Sequence, residues 1–248
     1  LSTEGDNPDI IVPYDKGSNT YTAIVAPQSV AAGTAFITST FTNGKTFVYK
    51  MKNATDWQAG GEYTYTVSLA AAKGYIIEDD GSYTVTSADG LMNIAELVNG
   101  GKSNINITLD TDIDLTGKDW TPIGTDYDNS YKGTFDGGGH TITGLTFTTN
   151  DEFAGLFGWL NRAGTVKNVV MEGVQITSNQ IYGGSIGGVV GYSWGTIENC
   201  SVSGSVSGTV YVGGVVGAQI GGSITGCSSS ATVKGTVDVG GVAGQTNS

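Results

Sequence analysis

The sequence predicts an all-β protein: a small antiparallel, sandwich-like domain over residues 1–80, then a parallel β-solenoid over 81–248 entered through one helix. Three observations predict it. First, a six-residue phrase recurs as Gly164-Thr165-Val166-Lys167-Asn168-Val169, Gly195-Thr196-Ile197-Glu198-Asn199-Cys200 and Gly222-Ser223-Ile224-Thr225-Gly226-Cys227, at offsets of 31 and 27 residues. Second, each copy follows a Gly-x-x-Gly phrase, at 155–158, 188–191 and 214–217, and a fourth such phrase opens at 241–244. Third, glycine fills 40 of 248 positions without any Gly-X-Y period, which excludes collagen. Repeats of this size cannot bury their apolar faces alone, so neighbours must stack.

The first 72 residues read as antiparallel β. Segments 21–25, 35–41, 46–51 and 63–69 alternate or are rich in β-branched and aromatic residues. Asn43-Gly44 predicts a hairpin turn, because both residues tolerate positive φ. Segment 73–86 is acidic and turn-rich, and the domain boundary is expected there. Thr86-Ser87-Ala88-Asp89 then opens a helix with Leu91, Ile94, Ala95, Leu97 and Val98 on one face, closed by Asn99-Gly100-Gly101. Preceding all the repeats, this helix is placed to cover the open end of the stack, where unpaired backbone would otherwise be exposed.

The solenoid follows. Ile105, Ile107 and Leu109 alternate, and Ile142/Leu145 repeats the spacing of Val166/Val169, Ile197/Cys200 and Ile224/Cys227. Residues 141–147 are therefore an earlier, divergent coil. Cys200, Val202 and Val206 alternate with serines, as in a half-buried strand. Three strands and three corners per coil are expected, with paired glycines (187–188, 213–214, 240–241) at corners where backbones approach closely. The two cysteines share one slot with Val169, which reads as an inward core position. A disulfide between stacked rungs suits the distance but not the torsion.

Bulk properties narrow the function. The net charge is −12, so nucleic acid and an anionic membrane surface are poor partners. Residues 1–150 carry 8 basic and 18 acidic side chains, residues 151–248 only 3 and 5. No apolar run approaches the ~20 residues of a membrane span, and direct membrane insertion is not expected. The chain starts at Leu1 without an export leader, and the coil opening at 241–244 has no strand after it; the expectation is a fragment of a longer protein.

The catalytic patterns present are incomplete. Gly191-Tyr192-Ser193-Trp194-Gly195 fits G-x-S-x-G, but that elbow needs a helix after it and a β-repeat follows. Gly101-Lys102-Ser103 lacks the upstream glycine of a P-loop, that position being Glu96. His140, the only histidine, reads as a turn-stabilising residue. Asp110, Asp112 and Asp114 lie on one face of a strand and read as solvent-facing, with Ca²⁺ ligation and acid/base catalysis as alternatives. Neither a metal nor a cofactor is expected. The ligand candidates are Trp159, Tyr192 and Trp194, which follow the Gly-x-x-Gly phrase at corners that stacking brings to one edge. Flat rings there could meet sugar faces or protein; the alternative is packing over the coil.

The Gly-rich phrases resemble the GLUG repeat of bacterial surface and secreted proteins. The stretch 112–115, Trp120-Thr121-Pro122-Ile123-Gly124 and 133–142 resembles the segment that leads into such repeats. The resemblance implies a right-handed β-helix on an adhesin-like surface protein and no defined catalytic site. Tyr21-Thr22-Ala23-Ile24-Val25-Ala26-Pro27-Gln28 and Ala59-Gly60-Gly61-Glu62-Tyr63-Thr64-Tyr65-Thr66-Val67 are similar to the last strands of fimbrillin-like proteins of the Bacteroides group, with the preceding strands lacking. Together these imply an extracellular, outer-membrane-associated adhesion module. Its partners would be host or environmental glycan or protein, and other surface or pilus subunits. A carbohydrate-active β-helix enzyme and a ligand-free stalk are the alternatives.

Overall fold

The computed structural model describes residues 14–15, 21–22, 26–40, 46–51, 53–63, 65 and 73–247. The chain forms two compact units, Leu1–Val67 and Ser68–Ser248. In the first, Tyr14–Asp15 pairs with Tyr21–Thr22, Gln28–Val30 with Thr55–Trp57, and Ala35–Thr40 with Thr46–Lys50, all antiparallel. The last pair forms the two arms of the expected hairpin; its turn, Asn43-Gly44, lies outside the described residues, as do 23–25 and most of 63–69. The Gln28–Val30 pairing is not apparent in the sequence, because three-residue strands carry too little alternation to register. Trp57 is buried, and its indole N–H donates to the Tyr65 hydroxyl at 2.9 Å.

The second unit is a parallel β-solenoid of about five turns. The units divide ahead of residue 80, because the hairpin Tyr75–Ile77/Tyr83–Val85 belongs to the solenoid: Tyr83–Val85 pairs in parallel with Ile107–Leu109. The helix Ala88–Asn99 connects those two parallel strands. Ser87 caps it by accepting from the Gly90 N–H at 3.1 Å, satisfying one of the orphan donors of the first turn. Leu91, Ile94, Ala95 and Val98 are buried in the solenoid core, each worth about 1.5–3 kcal/mol of burial for the larger chains.

The coils stack on four ladders rather than the expected three, and the second ladder is broken into two strands in the coils of 134–160 and 223–246. One ladder stacks Ile107–Leu109, Thr134–Asp136, Thr165–Lys167, Thr196–Glu198 and Ser223–Thr225; a second stacks Ile113–Asp114, Thr141–Thr143, Val170–Ser178, Ser201–Ser207 and Ser228–Ser229. The third runs through Phe153–Ala154, Ser185–Gly187, Val210–Gly213 and Val237–Gly240, the fourth through Phe157–Leu160, Val190–Ser193, Val216–Gln219 and Ala243–Thr246. The glycine pairs split what would be one strand into these last two. They then lie nearly backbone to backbone: a Cβ on Gly191 would sit 2.7 Å from the Ala154 nitrogen and 2.7 Å from the Ser185 oxygen. This is the physical demand behind the second glycine of the Gly-x-x-Gly phrase.

The six-residue phrase is equally literal. Its third residue forms a buried column, Phe135, Val166 and Ile197 pairing in register. Its fifth residue adopts a left-handed backbone, at φ 54° in Asn168, 52° in Asn199 and 64° in Gly226, which Asn and Gly tolerate best. Asn168 Nδ2 donates to Asp136 Oδ1 at 2.9 Å, so the corner is also tied between rungs. Its sixth holds Val169 and Cys200, both buried, and the half-buried Cys227; both cysteines are free thiols. The coil of 141–147 stacks as expected, Ile142 on Met171.

Candidate functional site

The aromatic face is built by strand register. Phe157–Leu160 pairs in parallel with Val190–Ser193, which sets Trp159 opposite Tyr192. Their ring centroids are 4.4 Å apart at 48°. Phe153, from the preceding strand, meets Trp159 edge-on at 4.7 Å and Tyr192 at 5.3 Å. Tyr127 meets Trp159 edge-on at 5.8 Å. Four rings thus form one surface cluster, each pair adding about 0.5–1.5 kcal/mol beyond its burial.

The loop carrying Tyr127 is fixed by polar contacts. The Asp126 carboxylate accepts from the backbone N–H groups of Asp128 and Asn129, both at 3.0 Å, and from Asn129 Nδ2. These bonds, led by the Asn129 side chain, hold its carboxyl below the usual range. Buried Ser130 donates to the Tyr127 carbonyl at 2.8 Å and accepts from Asn161 Nδ2 at 3.1 Å. The loop is joined to the strand by Trp159 N–H donating to the Gly124 carbonyl at 2.6 Å and Tyr131 N–H to the Trp159 carbonyl at 3.0 Å.

Of the three sequence candidates, Trp159 and Tyr192 come together. Trp194 lies two residues further along and makes a different contact, with the Arg162 guanidinium 5.5 Å above its ring centroid. All three are half-buried rather than fully exposed, because neighbouring rings and the adjoining coil cover part of each. The most exposed ring of the cluster is Tyr127, at 70%. Sequence reasoning missed Tyr127 and Phe153. Neither follows a Gly-x-x-Gly phrase; the available signal was the resemblance of 112–142 to a lead-in segment, which places that loop against the first repeat.

The other motifs serve the backbone. Asp112 accepts from the Thr141 N–H at 2.9 Å and lies 3.3 Å from His140 Nδ1; the Thr141 bond and His140 keep its carboxyl below the usual range. Asp114 accepts from the Thr116 N–H at 2.9 Å. Ser193 is buried, accepts from the Gly195 N–H at 3.2 Å and is followed by a strand, not a helix. Among the described residues no group of three or more His, Cys, Asp or Glu side chains gathers in a metal-binding arrangement. No described helix is long and apolar enough to cross a membrane.

Comparison with known proteins agrees with this architecture. Residues 2–87 match the fimbrillin-like family, and residues 182–207 and 208–234 are two GLUG motifs. The chain therefore joins a fimbrillin-like segment to a GLUG-repeat solenoid. The first GLUG motif contains Tyr192 and Trp194. Halomucin of Haloquadratum walsbyi is 31% identical over 209 residues, which is 75% of this chain and 2% of halomucin. A provisionally named Gly-rich membrane protein of Evansella cellulosilytica is 33% identical over 129 residues, 48% of this chain and 14% of that protein. The chain thus spans a small part of the curated relatives it matches. A crystal structure of a provisionally named immunoglobulin A1 protease from Bacteroides ovatus is 23% identical, with a TM-score of 0.47 over 68% of this chain and 63% of that one.

Proposed function

We propose that this chain is a non-enzymatic module of a cell-surface protein, of adhesin or fimbrial type, that binds glycan through the aromatic face around Trp159 and Tyr192. One observation carries the reading: four rings from three coils converge on the solvent side of the stack, although the solenoid core beneath is complete without them. Half-exposed rings in register offer flat apolar faces to the C–H faces of sugars. The fimbrillin-like match and the names of the relatives, halomucin and a Gly-rich membrane protein, support a surface location. The binding role rather than catalysis is supported by Asp112, Asp114 and Asp126, whose carboxylates are engaged in holding turns.

Affinity electrophoresis against a panel of host and plant glycans tests this, with assay of the same mixtures for released oligosaccharide. The expected result is retardation without cleavage, weakened at least about tenfold in Trp159→Ala, as for a central aromatic anchor. Retardation by no glycan, or release of product, overturns the reading.

A further inference from the structure

Arg162 is the only arginine in the chain. It is exposed, and its guanidinium lies over the Trp194 indole at 5.5 Å. The ion pairs found among the described residues are Lys118–Asp89, His140–Asp112 and Lys167–Asp136, so Arg162 has no carboxylate partner there. In a chain of net charge −12 carboxylates outnumber cations twofold, and an arginine left without one is notable. Its backbone is fixed in a tight turn: Gly164 N–H donates to the Asn161 carbonyl at 2.8 Å and Ala163 N–H to Asn161 Oδ1 at 3.2 Å.

The position matters as much as the charge. Trp194 directly follows the strand Val190–Ser193, at a bend, its N–H donating to the Leu160 carbonyl at 2.9 Å. Two residues of chain reach at most about 7 Å, so Trp194 lies close to Tyr192 whatever its face. The stacked guanidinium therefore stands at one end of the ring cluster, within about one or two sugar units of Trp159 and Tyr192. Stacking occupies the guanidinium face and leaves its N–H edge to make paired bonds to a carboxylate or sulfate. The exposed Asp128 and Glu152 adjoin Tyr127 and Phe153 in the chain.

We infer that this face takes a glycan bearing a single acidic group, a carboxylate or sulfate on a terminal or sparsely placed sugar, which Arg162 reads while the rings hold the neutral sugars. The inference rests on the glycan reading proposed above. It disfavours a uniform polyanion, which would meet Asp128 and Glu152. The net charge of −12 gives the chain as a whole no attraction for an anion.

A glycan array of matched pairs, each differing by one terminal carboxylate or one terminal sulfate, tests it alongside heparin-derived tetrasaccharides and acidic peptides. The wild type is expected to bind the singly acidic members about tenfold better than their neutral partners, the scale of one charge-assisted contact. The carboxylate and sulfate series distinguish the two sources of the anion. Arg162→Ala should bring the acidic members down to the neutral level with an unchanged melting temperature, and Arg162→Lys should recover part of the preference. Trp159→Ala should weaken both members of every pair. Equal binding within pairs, a preference that survives Arg162→Ala, or tighter binding of the heparin fragments overturns this inference and leaves the glycan reading standing. Binding to no glycan, or to acidic peptides alone, overturns both.

Discussion

The coils of 195–219 and 222–246 carry the same phrases and stack on the same four ladders, but among the described residues only the first is covered by a coil on both sides. Ile197, Val206 and Val215 are fully buried; their counterparts Ile224, Val233 and Val242 are half-buried or more exposed. Val212 is 0% exposed and its ladder partner Val239 43%. The sequence slots are equivalent, so the difference comes from the neighbour. A coil of this solenoid supplies half of a core, and the next coil supplies the rest. The aromatic face obeys the same rule, since Trp159 and Tyr192 are separated by 33 positions in the numbering and meet only because their coils stack in register.

Paired substitutions sharpen that comparison. Ile197→Ala should cost about 4 kcal/mol in chemical denaturation and Ile197→Val about 1 kcal/mol, because in a closed core the cost grows with the cavity left behind. Equal losses would contradict a closed core at this slot. Gly214→Ala should cost about 3 kcal/mol, since a Cβ there collides with the Gly241 carbonyl oxygen and the Ser229 side chain.

The smallest effect is chemical. Cys227 accepts from the Cys200 thiol and, at 3.4 Å, from the Cys200 backbone N–H. These contacts bring its pKa down to about 7. The Cys200 thiol is pushed up by donating to Cys227 and by burial. Because the thiolate is the nucleophile, iodoacetamide should label Cys227 with a rate that rises through about pH 7. Cys200 should stay unlabelled until the chain unfolds. Mass mapping showing equal labelling would contradict this assignment.

The fold was legible where one residue type answers one physical demand. The repeated valine and isoleucine slots, the Ser87-capped helix and the glycines at close approach all have local signatures. The left-handed corner was also legible in principle, because Asn168, Asn199 and Gly226 are the residues that tolerate it. The fourth ladder was not, since it depends on how closely two backbones pack after a glycine pair. The binding face was half legible. Trp159 and Tyr192 follow a repeated phrase, whereas Tyr127 reaches them from a loop positioned by Asp126, Ser130 and Asn161, contacts that span coils and leave no periodic trace.

Isothermal titration of the glycan retained most strongly by the wild type, repeated with Trp159→Ala and Tyr192→Ala, tests the central claim most directly. The account predicts that each variant, folded and melting cooperatively, weakens the affinity at least about tenfold. An unchanged Kd in both would contradict it and place the binding surface elsewhere on the chain.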